Sequence, residues 1–299
     1  MIAVVGGANV DICGRPYLPP VAGDSNPGEV SLSLGGVGRN IAHDLCLLGA
    51  GTVFLTALGE DRYAETVRER CGDLGMDLRR ALRVPGGRTS TYLYLCDEKG
   101  DMLMAVSDMA ICDRITPEYL AGERETLEKA DLVIADANIP EASLRYLAER
   151  EGPPLFADPV STRKAMKLKP LLGKIHTLKP NRMEAEALSG VEIRDDRSLR
   201  RAAEVLMETG LRRLFVTLGG DGVLAADEHG MERIPCRPAR VRDVTGAGDA
   251  FMAGLAYAYT QGMSTRESAA FAAAAAALAV ECPGTNPPEL SPEHVRNRM

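Results

Sequence analysis

The chain has 299 residues, 45% of them hydrophobic and 26% charged, so it can bury a sizeable core as one large α/β domain or two smaller ones. Its formal net charge is −7 and its basic runs are short pairs such as Arg79-Arg80, Arg200-Arg201 and Arg212-Arg213, which argues against binding a nucleic-acid polymer. Seven cysteines, odd in number and without a C-x-x-C pair, read as buried thiols of a reducing compartment and not as a disulfide frame or a zinc site.

In chain order, Ile2–Val5 is a strand; it lacks the basic flank of a signal peptide. Residues 12–34 are rich in Pro, Gly and Ser, read as irregular, and end in the strand-like Val30–Leu34. Asn40–Leu48 is helical, Val53–Ala57 a strand and Ala64–Leu74 a helix. Thr89–Leu95 and Met102–Val106 are strand-like around Asp97-Glu98-Lys99-Gly100, a hairpin turn. Strands at Leu132–Ala135, Leu155–Ala157, His176–Leu178 and Leu214–Leu218 then alternate with helices at Glu141–Arg150, Met183–Leu188 and Leu199–Glu208. The alternation predicts an α/β fold with a mostly parallel central sheet and helices on both faces. The two irregular regions, roughly 12–34 and 86–110, predict a small β-sheet lid over the carboxyl ends of the parallel strands. No repeat or linker divides the chain, so residues 1–299 read as one domain. The longest apolar run, Phe271 to Val280, is mostly alanine and too short to cross a bilayer; the expected location is the cytoplasm, with no membrane partner.

Several segments carry candidate chemistry. Thr245-Gly246-Ala247-Gly248-Asp249 opens the apolar helix Ala247–Tyr259. Glycines at the unpaired N–H groups of a first turn make an anion seat; the alternative is a tight strand-to-helix turn capped by Asp249. Gly35-Gly36-Val37-Gly38-Arg39-Asn40 precedes the helix Ile41–Gly49. It either lets backbone and Asn40 touch a polyhydroxyl ligand or ends in an Asn40 cap. The first turn, Gly6-Gly7-Ala8-Asn9, lacks the dinucleotide fingerprint, so a nicotinamide site is disfavoured. Asn9-x-Asp11 can hold adjacent hydroxyls or form an Asx turn. Asn181-x-x-Glu184 can hold water around Mg²⁺ or cap a helix. Thr217-Leu218-Gly219-Gly220-Asp221-Gly222 is a hairpin turn or a flat floor for a nucleotide. The four histidines show no metal-ligand spacing, and His43 reads as structural.

The order of these segments along one chain resembles the ribokinase-like (PfkB) carbohydrate kinases, over essentially the whole length. Asp24-Ser25-Asn26-Pro27-Gly28, Ser107-Asp108-Met109, Ala135-Asp136-Ala137-Asn138, Asp158-Pro159-Val160-Ser161 and His176 to Arg182 are similar to the pseudouridine kinase branch. Ribokinases carry GGKGAN where this chain has Val37 and Arg39, and Arg39 is read as structural.

The resemblance implies transfer of the ATP γ-phosphoryl group to the 5′-hydroxyl of pseudouridine, or of another nucleoside or ribose-type sugar. Asp249 would be the base, with backbone donors of Gly246, Ala247, Gly248 and Asp249 at the transferring group. Asn9, Asp11, Gly36, Asn40 and Asn138 would hold the acceptor, and Ser25, Asn26, Thr91 and Asp108 its base. Thr217, Gly219, Asp221, Gly222 and Asn286 would line the nucleotide site. Asn181 and Glu184 would hold the Mg²⁺ water shell. Asp243, Thr245 and carbonyls between Ala279 and Gly284 would hold K⁺. Relatives also imply a homodimer formed through the lid.

Overall fold

The central strands are short and buried on both faces, the pattern of a parallel sheet covered by helices on each side. In the computed structural model, which describes residues 1–299, β1 (Ile2–Val5) alternates its side chains between two cores. Ile2 and Val4 enter one, and Ala3 and Val5 the other. The chain continues through β2 (Asn9–Pro16), β3 (Gly28–Gly35), α1 (Val37–Leu47), β4 (Thr52–Leu55), β5 (Ala57–Leu58), α2 (Arg62–Asp73) and β6 (Leu82–Arg83). Next come β7 (Ser90–Cys96), β8 (Met102–Asp108), α3 (Pro117–Gly122), α4 (Arg124–Glu128), β9 (Leu132–Asp136), α5 (Glu141–Glu149), β10 (Leu155–Asp158) and α6 (Thr162–Ala165). The C-terminal part holds β11 (Thr177–Leu178), α7 (Arg182–Ser189), α8 (Asp196–Met207), β12 (Arg213–Thr217), β13 (Val223–Asp227), β14 (Gly230–Ile234), α9 (Ala247–Thr260), α10 (Thr265–Val280) and α11 (Pro292–Arg298).

Eight strands form the main sheet in the order β14-β13-β12-β11-β10-β9-β1-β4. All pairs from β12 to β4 are parallel, and β13 and β14 add an antiparallel edge. One core lies under α5, α7 and α8, the other under α1, α2, α9 and α10. The alanines of α10 let it pack closely on α9, where Gly254 meets Ala272 with no room for a side chain. No helix is long and apolar enough to cross a membrane.

A second sheet, β3-β2-β7-β8, stands apart from the main one. Its hairpin turn is the expected one, with Asp97 Oδ1 accepting from the Lys99 and Asp101 N–H groups. The expectation of irregular chain over 12–34 needs correction, because Asn9–Pro16 is a strand and only the segment between β2 and β3 is loop. Asp, Gly, Arg and Pro obscure the β2 pattern; pairing with β3 on one side and β7 on the other secures it. The thiols also differ from expectation: Cys71, Cys96 and Cys112 are buried, whereas Cys236 is exposed.

Candidate active site

Two acids that end neighbouring parallel strands organise the crevice. Asp136, at the end of β9, is completely buried. Its Oδ2 accepts from the N–H groups of Gly7 (2.9 Å) and Gly38 (2.7 Å), and its Oδ1 from that of Asn138 (2.8 Å). One carboxylate therefore clamps the turn between β1 and β2 to the start of α1, and these bonds offset the upward push that burial gives its pKa. The close approach needs glycine. Gly36 has φ 97°, and a Cβ there would lie 2.4 Å from the Gly7 carbonyl oxygen. Helix α1 starts at Val37, earlier than expected, with Gly36 at its N-cap. Asn40 is thus a first-turn residue, and the capping alternative for it falls away.

Asp158, at the end of β10, faces Lys179 with Nζ and Oδ2 3.1 Å apart, both side chains nearly inaccessible. The turn after Asp158 is strained, since the β-branched Val160 holds φ 67° while its N–H bonds Asp158 Oδ1 at 2.8 Å. Burial alone would lower the Lys179 pKa, but the carboxylates of Asp158, Glu184 and Asp249 raise it, so the ammonium stays charged.

Asp249 sits in the first turn of α9 beside this pair, 9% exposed. Its Oδ2 accepts from Asn40 Nδ2 at 2.7 Å. Burial, followed by the Asp158 charge, pushes its pKa up to about 7 against the opposing pull of Asn40, Lys179 and Arg39. A carboxyl of that pKa takes and returns a proton at neutral pH. Just before it, Gly246 has φ 82° and lies against the Thr285 carbonyl, where a Cβ would come within 2.0 Å. The N–H groups of Gly246, Gly248 and Asp249 make no protein hydrogen bond, whereas that of Ala247 bonds the Val244 carbonyl at 3.3 Å. The expected four-donor seat thus has three free donors. Lys179 Nζ stands over it, 3.3 Å from where a Gly248 Cβ would be.

From this seat a cavity of about 580 Å³ runs between Ala247 and Gly248 and the turn after β12. Thr217, Gly219, Gly220 and Gly222 form one wall; Val223, Val241, Val244, Phe251, Ala273 and Ala277 make most of the rest apolar, and Arg237 also lines it. The shape suits a flat heterocycle whose polar tail reaches the free N–H groups.

A family model described as pfkB family carbohydrate kinase matches residues 1–292. The chain belongs to the pfkB family of carbohydrate kinases. It is 41% identical to the pseudouridine kinase of Escherichia coli over 97% of this chain and 93% of the relative. Among solved structures, a carbohydrate kinase from Agrobacterium tumefaciens is 32% identical with a TM-score of 0.86, over 99% of this chain and 96% of the other. The Arabidopsis thaliana ribokinase complexed with ribose and ATP is 26% identical with a TM-score of 0.87, over 99% and 97%. The fold is ribokinase-like, and the chain is a sugar or nucleoside kinase, a phosphotransferase acting on an alcohol group.

The other candidate residues of this kinase fall into place unevenly. Asn9 Nδ2 donates to Asp11 Oδ1 at 2.6 Å. Burial raises the Asp11 pKa. Asn138 sits beside Gly7, its Oδ1 accepting from Lys164 Nζ at 2.5 Å. Asn181 and Glu184 form a reciprocal capping box on α7, both bonds 2.9 Å. That bonding occupies Glu184 Oε2; burial raises the Glu184 pKa, and the Asn181 N–H and the Lys179 charge oppose it. No group of three or more His, Cys, Asp or Glu could hold a metal unaided. One carboxylate and one amide at the crevice fit a Mg²⁺ ion that keeps most of its waters.

Three candidates make other contacts in this structure. Asp221 is turned outward toward Arg182, with Nη2 and Oδ2 3.4 Å apart, and does not line the nucleotide cavity. Asn286 also lies outside it; its Nδ2 donates to the Asn40 carbonyl (3.1 Å) and to Asp44 Oδ1 (2.8 Å). The side chain of Asn26 is used within its own loop, on Val21 and Asp24. Of the remaining base-contact candidates, Ser25 is exposed, Thr91 Oγ1 lies 3.4 Å from the Thr89 carbonyl, and Asp108 pairs with Arg88 at 3.0 Å. At the supposed K⁺ site Asp243 Oδ1 accepts from the Thr245 N–H (2.8 Å), and the Val280 carbonyl already accepts from Arg242 and Asp243.

Asp136, Asp158 and Lys179 received no individual role from the sequence. The available signal was an acid at the carboxyl end of each of two adjacent parallel strands, the edge where α/β sheets bind ligands.

Proposed function

We propose that this protein transfers the γ-phosphoryl group of ATP to the 5′-hydroxyl of pseudouridine. The observation that carries the reading is Asp249 beside three free N–H groups at the end of an apolar cavity, in a chain 41% identical to a pseudouridine kinase. ATP lies with its base in that cavity and its phosphates toward Gly246, Gly248 and Asp249. Asp249 accepts the hydroxyl proton as the oxygen attacks. The three N–H groups and Lys179 stabilise charge on the phosphoryl group in transit, so positioning and electrostatics supply most of the rate. Asn181 and Glu184 hold waters of a Mg²⁺ ion, which when bound neutralises phosphate charge.

Asn9, Asp11, Asn40 and the backbone at Gly36 hold the ribose hydroxyls, and Asn138 lies at the far end of the acceptor. One face of the lid sheet carries Asp11, Ser33 and Tyr92 in register, and in this reading that face covers the acceptor. Its other face carries the rows Leu32-Ile12-Leu93-Val106 and Val30-Gly14-Leu95-Met104, largely exposed. A second copy covering that face is the proposed dimer.

The product distinguishes this reading from phosphorylation elsewhere. Phosphorus NMR of the reaction with pseudouridine should show a phosphomonoester coupled to the C5′ protons, and 5′-deoxypseudouridine should not react. A phosphate on another oxygen, or no turnover of pseudouridine, contradicts it.

A further inference from the structure

Arg39, where this chain departs from GGKGAN, is a buried cation, 4% exposed, in the first turn of α1. Its Nη2 donates to the Leu34 carbonyl at 2.7 Å and to Asn40 Oδ1, and its Nε donates to the Gly35 carbonyl at 3.4 Å. Leu34 and Gly35 are the last residues of lid strand β3. Asn40 then donates through Nδ2 to Asp249 Oδ2. A guanidinium has no acceptor and an ionised carboxylate no donor, so the Asn40 amide has one orientation that serves both.

We propose that Arg39 is a positioning residue that ties the end of the lid strand to Asp249 through Asn40 and holds the base in its ionised form. The inference rests on Asp249 being the base. On the other side of Arg39, His43 Nδ1 lies 2.9 Å from Nη1. Burial and the Arg39 charge hold the imidazole neutral, with a pKa of about 4, so it accepts and adds no competing cation. The other ionisable groups facing Asp249 are Asp158 from β10, Lys179 after β11 and Asp44 from α1. Burial drives the Asp44 carboxyl toward its neutral form. Asp158, which disfavours ionisation of Asp249, is thus opposed by Lys179 from the phosphate side and by Arg39 from the lid side.

The test is the pH profile of kcat/KM for R39A, R39M and R39K, with D249N as control. GGKGAN carries alanine at this position, so R39A keeps a turn that the motif tolerates; R39M fills the volume without charge. In both, the midpoint of the acid limb should rise by at least about half a pH unit, so that the loss at pH 6 exceeds that at pH 9 roughly threefold. R39K, which keeps the cation, should hold the wild-type limb. Equal losses at every pH, or superimposable profiles, overturn the role of Arg39. If neither R39A nor R39M shows a cooperative melt, R39K decides: an upward-shifted limb overturns it. Retained activity in D249N overturns the base reading itself, whereas an inactive D249N with an unmoved R39A limb overturns only the part played by Arg39.

Discussion

In the proposed mechanism Asp249 is the base, one buried carboxyl, and its raised pKa has consequences of opposite sign for activity and stability. The base works ionised, so kcat/KM should fall about tenfold per pH unit below pH 7 and level off above it. D249N should lose at least about a hundredfold in kcat while still binding ATP, measured by titration calorimetry; near-normal turnover would refute the assignment. For stability the folded pKa lies above the unfolded one. Between about pH 4 and 7 the unfolded chain has already released the proton that the native chain keeps, so stability declines as pH rises through that window. D249N lacks this cost. Its melting temperature should draw ahead of wild type across the same window and hold a constant lead above pH 7. A lead independent of pH would mean that Asp249 titrates normally.

Turns and strand ends build the site more than the helices do. The turn before α9 brings Gly246 against Thr285, and only a residue without Cβ can hold φ 82° at that distance. G246A should therefore displace the free N–H groups and cost at least about a hundredfold in kcat, with acceptor KM less affected; activity within threefold of wild type would show that the seat tolerates a shift. These turns were legible in the sequence because a Gly-rich segment directly before an apolar helix marks a tight backbone approach at the helix N-terminus. The lid was half legible. The β7–β8 hairpin shows alternation and a turn, whereas in β2 the alternation of Asn9-Val10-Asp11-Ile12 gives way to Gly14, Arg15 and Pro16, and pairing with β3 and β7 secures the strand. The apolar lid face is a matter of register and appears only once the cross-strand rows are known. L32K with V106K places two charges in one row of that face, and under the proposed pairing sedimentation should show a dimer for wild type and a monomer for the double variant. An unchanged sedimentation coefficient contradicts pairing through the lid.

At the scale of the whole molecule, the sheet order gathers Asp136, Asp158, Lys179 and Asp249 at one edge from β9, β10, the end of β11 and the start of α9. Asp249 stands out in the sequence because its neighbours are unusual. Asp136, Asp158 and Lys179 do not, since lone acids and a lone lysine acquire a place at the crevice only when parallel pairing aligns their strands. Asn286 and Asp221 show the reverse, polar residues within suggestive loops whose side chains the fold spends on α1 and on Arg182. Substrate choice is decided at the acceptor end of the crevice. A competition in one vessel, with Mg²⁺, γ-labelled ATP limiting and equimolar pseudouridine, uridine, adenosine and ribose, tests it most directly. The label should appear predominantly in pseudouridine 5′-phosphate. Label distributed without preference, or carried mainly by ribose phosphate or another nucleotide, would contradict the account.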